Sequence, residues 1–404
     1  MRSRPRLLFY CQHSVGLGHL VRSFALCRGL TDRFEVVLLC GGPIPDALEL
    51  PAGVALVALP PLGVGPEGTF ISHDARLTVP EARVLRRELL VDTLRAVVPE
   101  VVLVELFPFG RAKFASELVP FLSEARRWGA RRPLIACSLR DILVRGRRKQ
   151  AAHDERACRI ANRYFDAILV HAERRLAPLD ESFRPHTPLD VPVHYTGYVV
   201  PNGHRRDRAP AQRERRVVVS AGGGLVGEQL LSTALDAHRL LRDDERLAMT
   251  LIAGPFLPDR AFEDLERRAR DAEGVRLLRS VPDLSDELRT ASCSISQCGY
   301  NTSLEVLRAG LPALVVPYAT PQEDEQMRRS RRLTAMGALR MLDPARLDVP
   351  TLADELRALP RFSPRRVDLD LDGARRTPVL LERLAAERGM PKPLALAAAA
   401  GGGA

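Results

Sequence analysis

Three short stretches hold residues whose types and spacing suit the capture of an anion: "GLGHLVRS" from Gly16, "SAGGG" from Ser220 and "QCGYNTSLE" from Gln297. Each follows an apolar run and precedes helix-like sequence. Backbone amides approach a phosphate closely where no side chain intervenes, and the positive end of the next helix points at the same spot. A diphosphate gains roughly 1.5–3 kcal/mol from each charge-assisted bond of this kind. One such loop would be an ordinary tight turn. Three at matching places in two similar halves make Gly16, Gly18, Ser220, Gly222, Gly223, Gly224, Gly299, Tyr300, Asn301 and Thr302 candidate ligand contacts.

His19 stands at the start of the first of these helices. A neutral imidazole there can take a proton from a hydroxyl or bond a phosphate oxygen, and a general base is worth roughly 10²–10⁴ in rate. The plain alternative is a helix-end histidine with local hydrogen bonds only. Arg22, one turn on, either reaches a phosphate or is solvated. Asp141, after "CSLR", is a second candidate base ranked below His19, and it could equally cap the segment "ILVRGRRK".

The elements that must position these residues are legible as alternating patterns. "LLFYC", "FEVVLLC", "VALVAL", "VVLVEL", "PLIACS" and "DAILVH" are short, Val/Leu-rich runs. Helical patterns such as "TVPEARVLRRELLVDTLRAVVP" separate them, and "RRVVVSAGGG", "LAMTLIAG", "GVRLLRSV", "ASCSISQ" and "PALVVPY" repeat the theme. This is the pattern of parallel sheets covered on both faces. The expectation is α/β, with two Rossmann-like doubly wound domains facing an interdomain cleft. Their limits are 1–198 and 216–390, joined by a Pro/Gly/Arg-rich linker at 199–215. The second domain includes the amphipathic segment "TPVLLERLAAERGM", and 391–404 is a low-complexity tail expected to be disordered. Ligands in such sheets bind where strands turn into helices at their carboxyl ends.

Composition and motif rules remove several classes. No Gly-Lys-Ser/Thr follows a glycine loop, which excludes a P-loop nucleotidase. A dinucleotide fingerprint needs a third glycine where Val21 stands and an acid where the second run ends in "LLCGG", so an NAD enzyme is not expected. The 404 residues carry a net charge of +10, nearly all of the basic residues being Arg, which suits a nucleotide, a phospholipid surface or a nucleic acid. No nucleic-acid-binding module accompanies the charge, and no nucleic-acid partner is expected. The seven cysteines, an odd number without a CxxC pair, are expected to be reduced. "MRSRPR" is basic, but the apolar run behind it is half of what a signal peptide needs, and no stretch reaches the ~18 apolar residues of a membrane span. The expected location is the cytoplasm. Asp368, Asp370, Asp372 and Gly373 imitate the start of an EF-hand, but its twelfth position is Val379, so no metal is expected. No cofactor is expected either.

"SQCGYNTSLEVLRAGLPALVVPY", followed by "PQEDEQMRRSRRLTAMG", resembles the nucleotide-sugar-binding carboxyl-terminal domain of glycosyltransferase family 28. "GLGHLVRS" is similar to the glycine-histidine loop of the amino-terminal domain in that group. "ELFPFGRAKF", "CSLRDIL" and "PVHYTGYV" resemble stretches of an uncharacterised bacterial branch of predicted glycosyltransferases. The resemblance implies the GT-B fold, an acceptor-side first domain, and an inverting transfer of a hexose, N-acetylglucosamine above others, from a UDP-sugar to a hydroxyl. Helix amides facing the leaving diphosphate would make a metal unnecessary.

It also implies roles for three further residues. Glu305 matches the acid that holds the ribose hydroxyls, although Thr302-Ser303-Leu304-Glu305 also spells a capping box. Glu325 and Gln326 match positions that contact the sugar hydroxyls, with an acid here where the pattern has a first glutamine; the alternative is a charged helix start set for the dipole. The basic clusters at 126–132 and 145–149 could dock the protein on an anionic bilayer, at about 1 kcal/mol per residue. That would place it at the inner face of the membrane beside a lipid-linked acceptor. Two other functions stay open: a nucleotide-sugar hydrolase of the same superfamily, and a non-catalytic nucleotide-sugar-binding or membrane-docking protein. The loop "GVGPEGTFISHDARL", where acceptor specificity would lie, carries no legible motif.

Overall fold

The apolar runs form two parallel sheets. The computed structural model describes residues 4–13, 18–45, 48–65, 69–200, 213–241, 247–320 and 323–389. In the first half, β1 (Arg6–Cys11), β2 (Glu35–Cys40) and β3 (Val54–Ala58) precede a small antiparallel hairpin, β4 (Leu62–Val64) and β5 (Phe70–Ser72). β6 (Val101–Glu105), β7 (Leu134–Leu139), β8 (Ala167–Val170) and β9 (Val193–Tyr195) follow. The sheet order is β3-β2-β1-β6-β7-β8-β9, all neighbours parallel. Every residue of β6, β7 and β8 is buried, as expected of strands with helices on both faces.

The second sheet comprises β10 (Glu214–Ser220), β11 (Ala248–Ile252), β12 (Val275–Leu278), β13 (Ala291–Ser296), β14 (Ala313–Val315) and β15 (Arg340–Met341). Its order, β12-β11-β10-β13-β14-β15, is again wholly parallel. In both sheets the strand order switches direction once, between β1 and β6 and between β10 and β13. The carboxyl ends of those four strands are where a doubly wound sheet opens a crevice. All seven cysteines are buried and free.

The chain leaves the first sheet through Val199 and Val200, both buried in its core, and enters β10 at Glu214. The linker expected at 199–215 is therefore shorter at both ends, and its middle, like the 391–404 tail, lies outside the described residues.

One expectation is corrected. The amphipathic terminal segment forms the helix Gly373–Gly389, but it packs on the first domain and not on the second. Leu381 is fully buried among Leu7, Leu20 and Phe24, with Leu380, Leu384 and Ala385 beside it. The approach to the helix Gly18–Leu30 is close enough that a side-chain carbon on Gly29 would fall 2.1 Å from the Ala374 carbonyl oxygen. Residues 370–373 are tied back as well: the Tyr198 amide donates to the Asp370 carbonyl at 2.7 Å and the Gly373 amide to that of Tyr198 at 3.0 Å. Periodicity announces an apolar stripe but not which sheet it will cover. Leu381→Ala should therefore lower stability by about 2–5 kcal/mol, read as a shifted urea midpoint for the transition that reports the first domain.

Candidate active site

Glu105 ends β6 at the first switch point with no exposed surface. Its Oε1 lies 2.6 Å from Nδ1 of His19 and also accepts from Nη2 of Arg22. His19 and Arg22 are three residues apart on the helix Gly18–Leu30, so both reach the same carboxylate. The backbone after Glu105 is unusual, with Leu106 at φ 64° and Arg111 at φ 55°, conformations that a Cβ disfavours and that cluster at functional sites. Burial pushes the Glu105 carboxyl up, but the hydrogen bond from His19 and the charges of Arg22 and Arg111 outweigh it and hold the group ionised. Burial pulls the His19 imidazole well below its usual range, against the opposing pull of Glu105. The ring is therefore neutral at pH 7. With Nδ1–H donating to Glu105, Nε2 is left with a lone pair, which is the arrangement of an oriented general base.

The glycine loops of the second half face this pair across the cleft. Ser220, Gly222 and Gly223 line it at the end of β10, and Ser220 Oγ accepts from the Gly222 amide at 3.3 Å. Gly224, at φ 91°, lies behind the lining, where a Cβ would come within 2.6 Å of the Ala253 carbonyl oxygen. After β13, Gly299 caps the helix Tyr300–Ala309, whose first turn opens into the cleft with its amides unclaimed by the helix. Glu305, one turn on, faces the same cleft and is almost buried.

Residues 217–368 match the family model described as Glycosyltransferase family 28 C-terminal domain. The match is confined to the second domain, which it spans from β10 to just short of the terminal helix. A Neisseria meningitidis UDP-N-acetylglucosamine--N-acetylmuramyl-(pentapeptide) pyrophosphoryl-undecaprenol N-acetylglucosamine transferase is 31% identical over 150 residues, 37% of this chain and 41% of that protein. The enzyme of the same name from Shewanella baltica is 34% identical over 86 residues, 21% of this chain and 24% of that protein. The chain thus spans about a quarter to two fifths of the length of these relatives. Among solved structures, the glycosyltransferase of kitacinnamycin superposes with a TM-score of 0.56 at 18% identity, covering 96% of both chains. Acinetobacter baumannii MurG gives 0.55 at 15% identity, covering 95% of this chain and 100% of that one. The two facing parallel sheets have the GT-B fold.

The candidate residues divide within the cleft. Ser220, Gly222, Gly223, Gly299, Thr302, Glu305, Glu325 and Gln326 all line the cleft, as do Gly18 and His19 opposite. Gly16 lies outside the described residues. Tyr300 lines the cleft, but its hydroxyl is engaged between the domains, donating to the His171 carbonyl at 2.8 Å and accepting from the Val199 amide at 3.0 Å. Asn301 bridges to the Gly18 carbonyl at 3.2 Å. Gln326 Oε1 accepts from the amides of Cys298 and Tyr318 at 3.0 and 3.1 Å, and its Nε2 has no acceptor among the described residues. The capping box at Thr302 is absent: Gly299 is the cap, and Thr302 sits inside the helix.

Three expectations are corrected. Asp141 is no free base, because Arg329 of the second domain holds both its oxygens at 2.8 Å, away from the cleft, and Arg329 also donates to the Cys298 carbonyl. Burial pushes its carboxyl up, and Arg329 more than offsets this. Arg22 is buried and bonded to Glu105, so it is not solvated, and it lines the cleft beside His19. The basic clusters are only partly free: Arg126 and Arg132 grip Asp166 at 3.0 and 2.9 Å, whereas Arg127, Arg131, Arg148 and Lys149 are exposed. Glu105 itself escaped the sequence, although "VVLVEL" shows an acid in an otherwise apolar strand, which is the available signal.

Burial, with the nearby Asp283 charge, pushes the Glu305 carboxyl up to about 8. A carboxyl whose folded pKa exceeds its unfolded value favours folding when protonated. Its influence therefore destabilises progressively as pH rises from the ordinary carboxylate range through 8. Glu305→Gln should flatten this decline between pH 5 and about 8, measured as unfolding free energy against pH for both proteins.

Proposed function

We propose that the protein is a UDP-sugar-dependent glycosyltransferase that moves a hexose, N-acetylglucosamine above others, to an acceptor hydroxyl with inversion and without a metal. The observation that carries this is the His19–Glu105 pair at 2.6 Å, facing the glycine loops of the domain that matches the family 28 model across the cleft. UDP lies against the second domain. The carboxylate of Glu305 accepts the ribose hydroxyls, the amides of the 222–223 and 299–302 loops take the diphosphate, and Gln326 Nε2 and Glu325 meet the sugar. His19 Nε2 takes the acceptor proton as the hydroxyl oxygen attacks the anomeric carbon. The bond from that carbon to the diphosphate breaks on the opposite face, and UDP leaves with the electron pair. Glu105 fixes the imidazole tautomer and balances the imidazolium that forms, without itself taking the proton.

The names of the relatives from Neisseria meningitidis and Shewanella baltica, which specify a pyrophosphoryl-undecaprenol acceptor, support a lipid-linked acceptor here. Peripheral contact with an anionic surface at the cytoplasmic face belongs to the same reading, with the exposed Arg131 and Arg148 as its basic contacts. Among the described residues no helix is long and apolar enough to cross a membrane, and no cluster of His, Cys, Asp or Glu could hold a metal ion.

UDP at 100 times its dissociation constant should add about 2.7 kcal/mol of stability, read as a thermal shift that dTDP and GDP compounds do not match. Its affinity should rise with pH through the Glu305 range. His19→Ala should lower kcat roughly 10²–10⁴-fold while leaving the UDP shift in place, measured as UDP release with extracted lipid acceptors. UDP release of equal rate without any acceptor would select the hydrolase instead, and no shift with uridine nucleotides would overturn the donor site.

A further inference from the structure

Arg140, the first residue after β7, reaches across the cleft to Glu325, the first residue of the helix Glu325–Ala335. Nη1 donates to Oε1 at 2.8 Å while Nη2 makes ion-pair contact with Oε2, an oxygen that is buried without a hydrogen-bond partner among the described residues, so the two groups meet end-on between the two domains. The side chains are only 15% and 14% exposed, and both line the cleft with His19. This contact occupies the terminal nitrogens, and the Arg140 Nε–H is left buried with no acceptor among the described residues. The neighbouring Asp324 fixes the approach by accepting from the Arg145 amide at 3.0 Å. A desolvated carboxylate persists at such a place only with a cation beside it. A glutamine at position 325 would need none.

We propose that Arg140 determines the specificity for the donor sugar. It holds Glu325 as an oriented carboxylate whose remaining lone pairs accept from adjacent hydroxyls of a neutral hexose. This rests on the donor-site reading above. A sugar bearing a carboxylate would set two anions against one guanidinium, which is why the hexose is neutral. An epimer with one hydroxyl displaced leaves a buried donor or acceptor unpaired, the circumstance in which polar sites discriminate most strongly.

The test is calorimetric titration of the full chain and its variants with UDP, UDP-N-acetylglucosamine, UDP-glucose and UDP-galactose. Arg140→Met should weaken the preferred UDP-hexose by about tenfold or more and pull the UDP-glucose to UDP-galactose ratio toward one, with UDP itself changed by less than about twofold. Arg140→Lys, which keeps the charge but loses the planar guanidinium, should fall between wild type and Arg140→Met. Adding Glu325→Gln to Arg140→Met should cost no further affinity, because the pair acts as a unit. Equal losses for UDP and UDP-sugars would show a mere domain clasp and overturn the proposal. So would an unchanged epimer ratio, or additive effects of the two substitutions. If Arg140→Met does not fold, Arg140→Lys and the double variant carry the same comparisons. A wild-type chain that binds no uridine nucleotide would overturn the donor site and this inference with it, whereas a wild type that binds UDP beside indifferent variants overturns the role of Arg140 alone.

Discussion

A carboxylate with no exposed surface persists only where donors and cations surround it, and Glu105 is such a group. The two residues that answer it, His19 and Arg22, stand on the helix that β1 leads into. One charge thereby sets the rotation of that helix, the orientation of the imidazole and the end of β6. The effect reaches the other domain as well, since the Arg22 guanidinium lies 5.5 Å from the centre of the Tyr300 ring. The Tyr300 hydroxyl is in turn bonded to the backbone at His171 and Val199. The group that would take the proton and the loop that would hold the diphosphate are thus parts of one polar network.

The rest of the interface follows the same logic with arginine as the usual partner. Asp141 meets Arg329, Glu325 meets Arg140, and Glu181 meets Arg332, each pair drawing one member from each domain. The planar guanidinium suits this task, because it forks onto a carboxylate and stays charged when buried. Part of the arginine excess that the sequence displays is therefore spent inside the molecule and is not offered to a polyanion.

The strands were legible because buried parallel strands read as apolar runs, and both switch points follow from where those runs meet glycine loops. The place of His19 at the cleft was legible for the same reason. Glu105 was not, since a single acid inside an apolar strand resembles a strand end, and its partner lies 86 residues away. Asp141 was misjudged because its spacing cannot disclose Arg329, 188 residues on. The short pairings of β4 with β5 and of β9 and β15 with their neighbours depend on the sheets already built, so periodicity over three residues could not announce them.

The terminal helix Gly373–Gly389 means that the chain passes between the domains twice, once before β10 and once on its return to the first domain. Two covalent crossings leave rotation about the line joining them as the easy relative movement, while translation apart would stretch both. They also order the making of the protein. A ribosome that has released the first 200 residues has made every strand of the first sheet but not the helix that covers Leu7, Leu20 and Phe24. That apolar face stays open to solvent until the second domain has emerged, so the first half cannot mature as an independent unit ahead of the second.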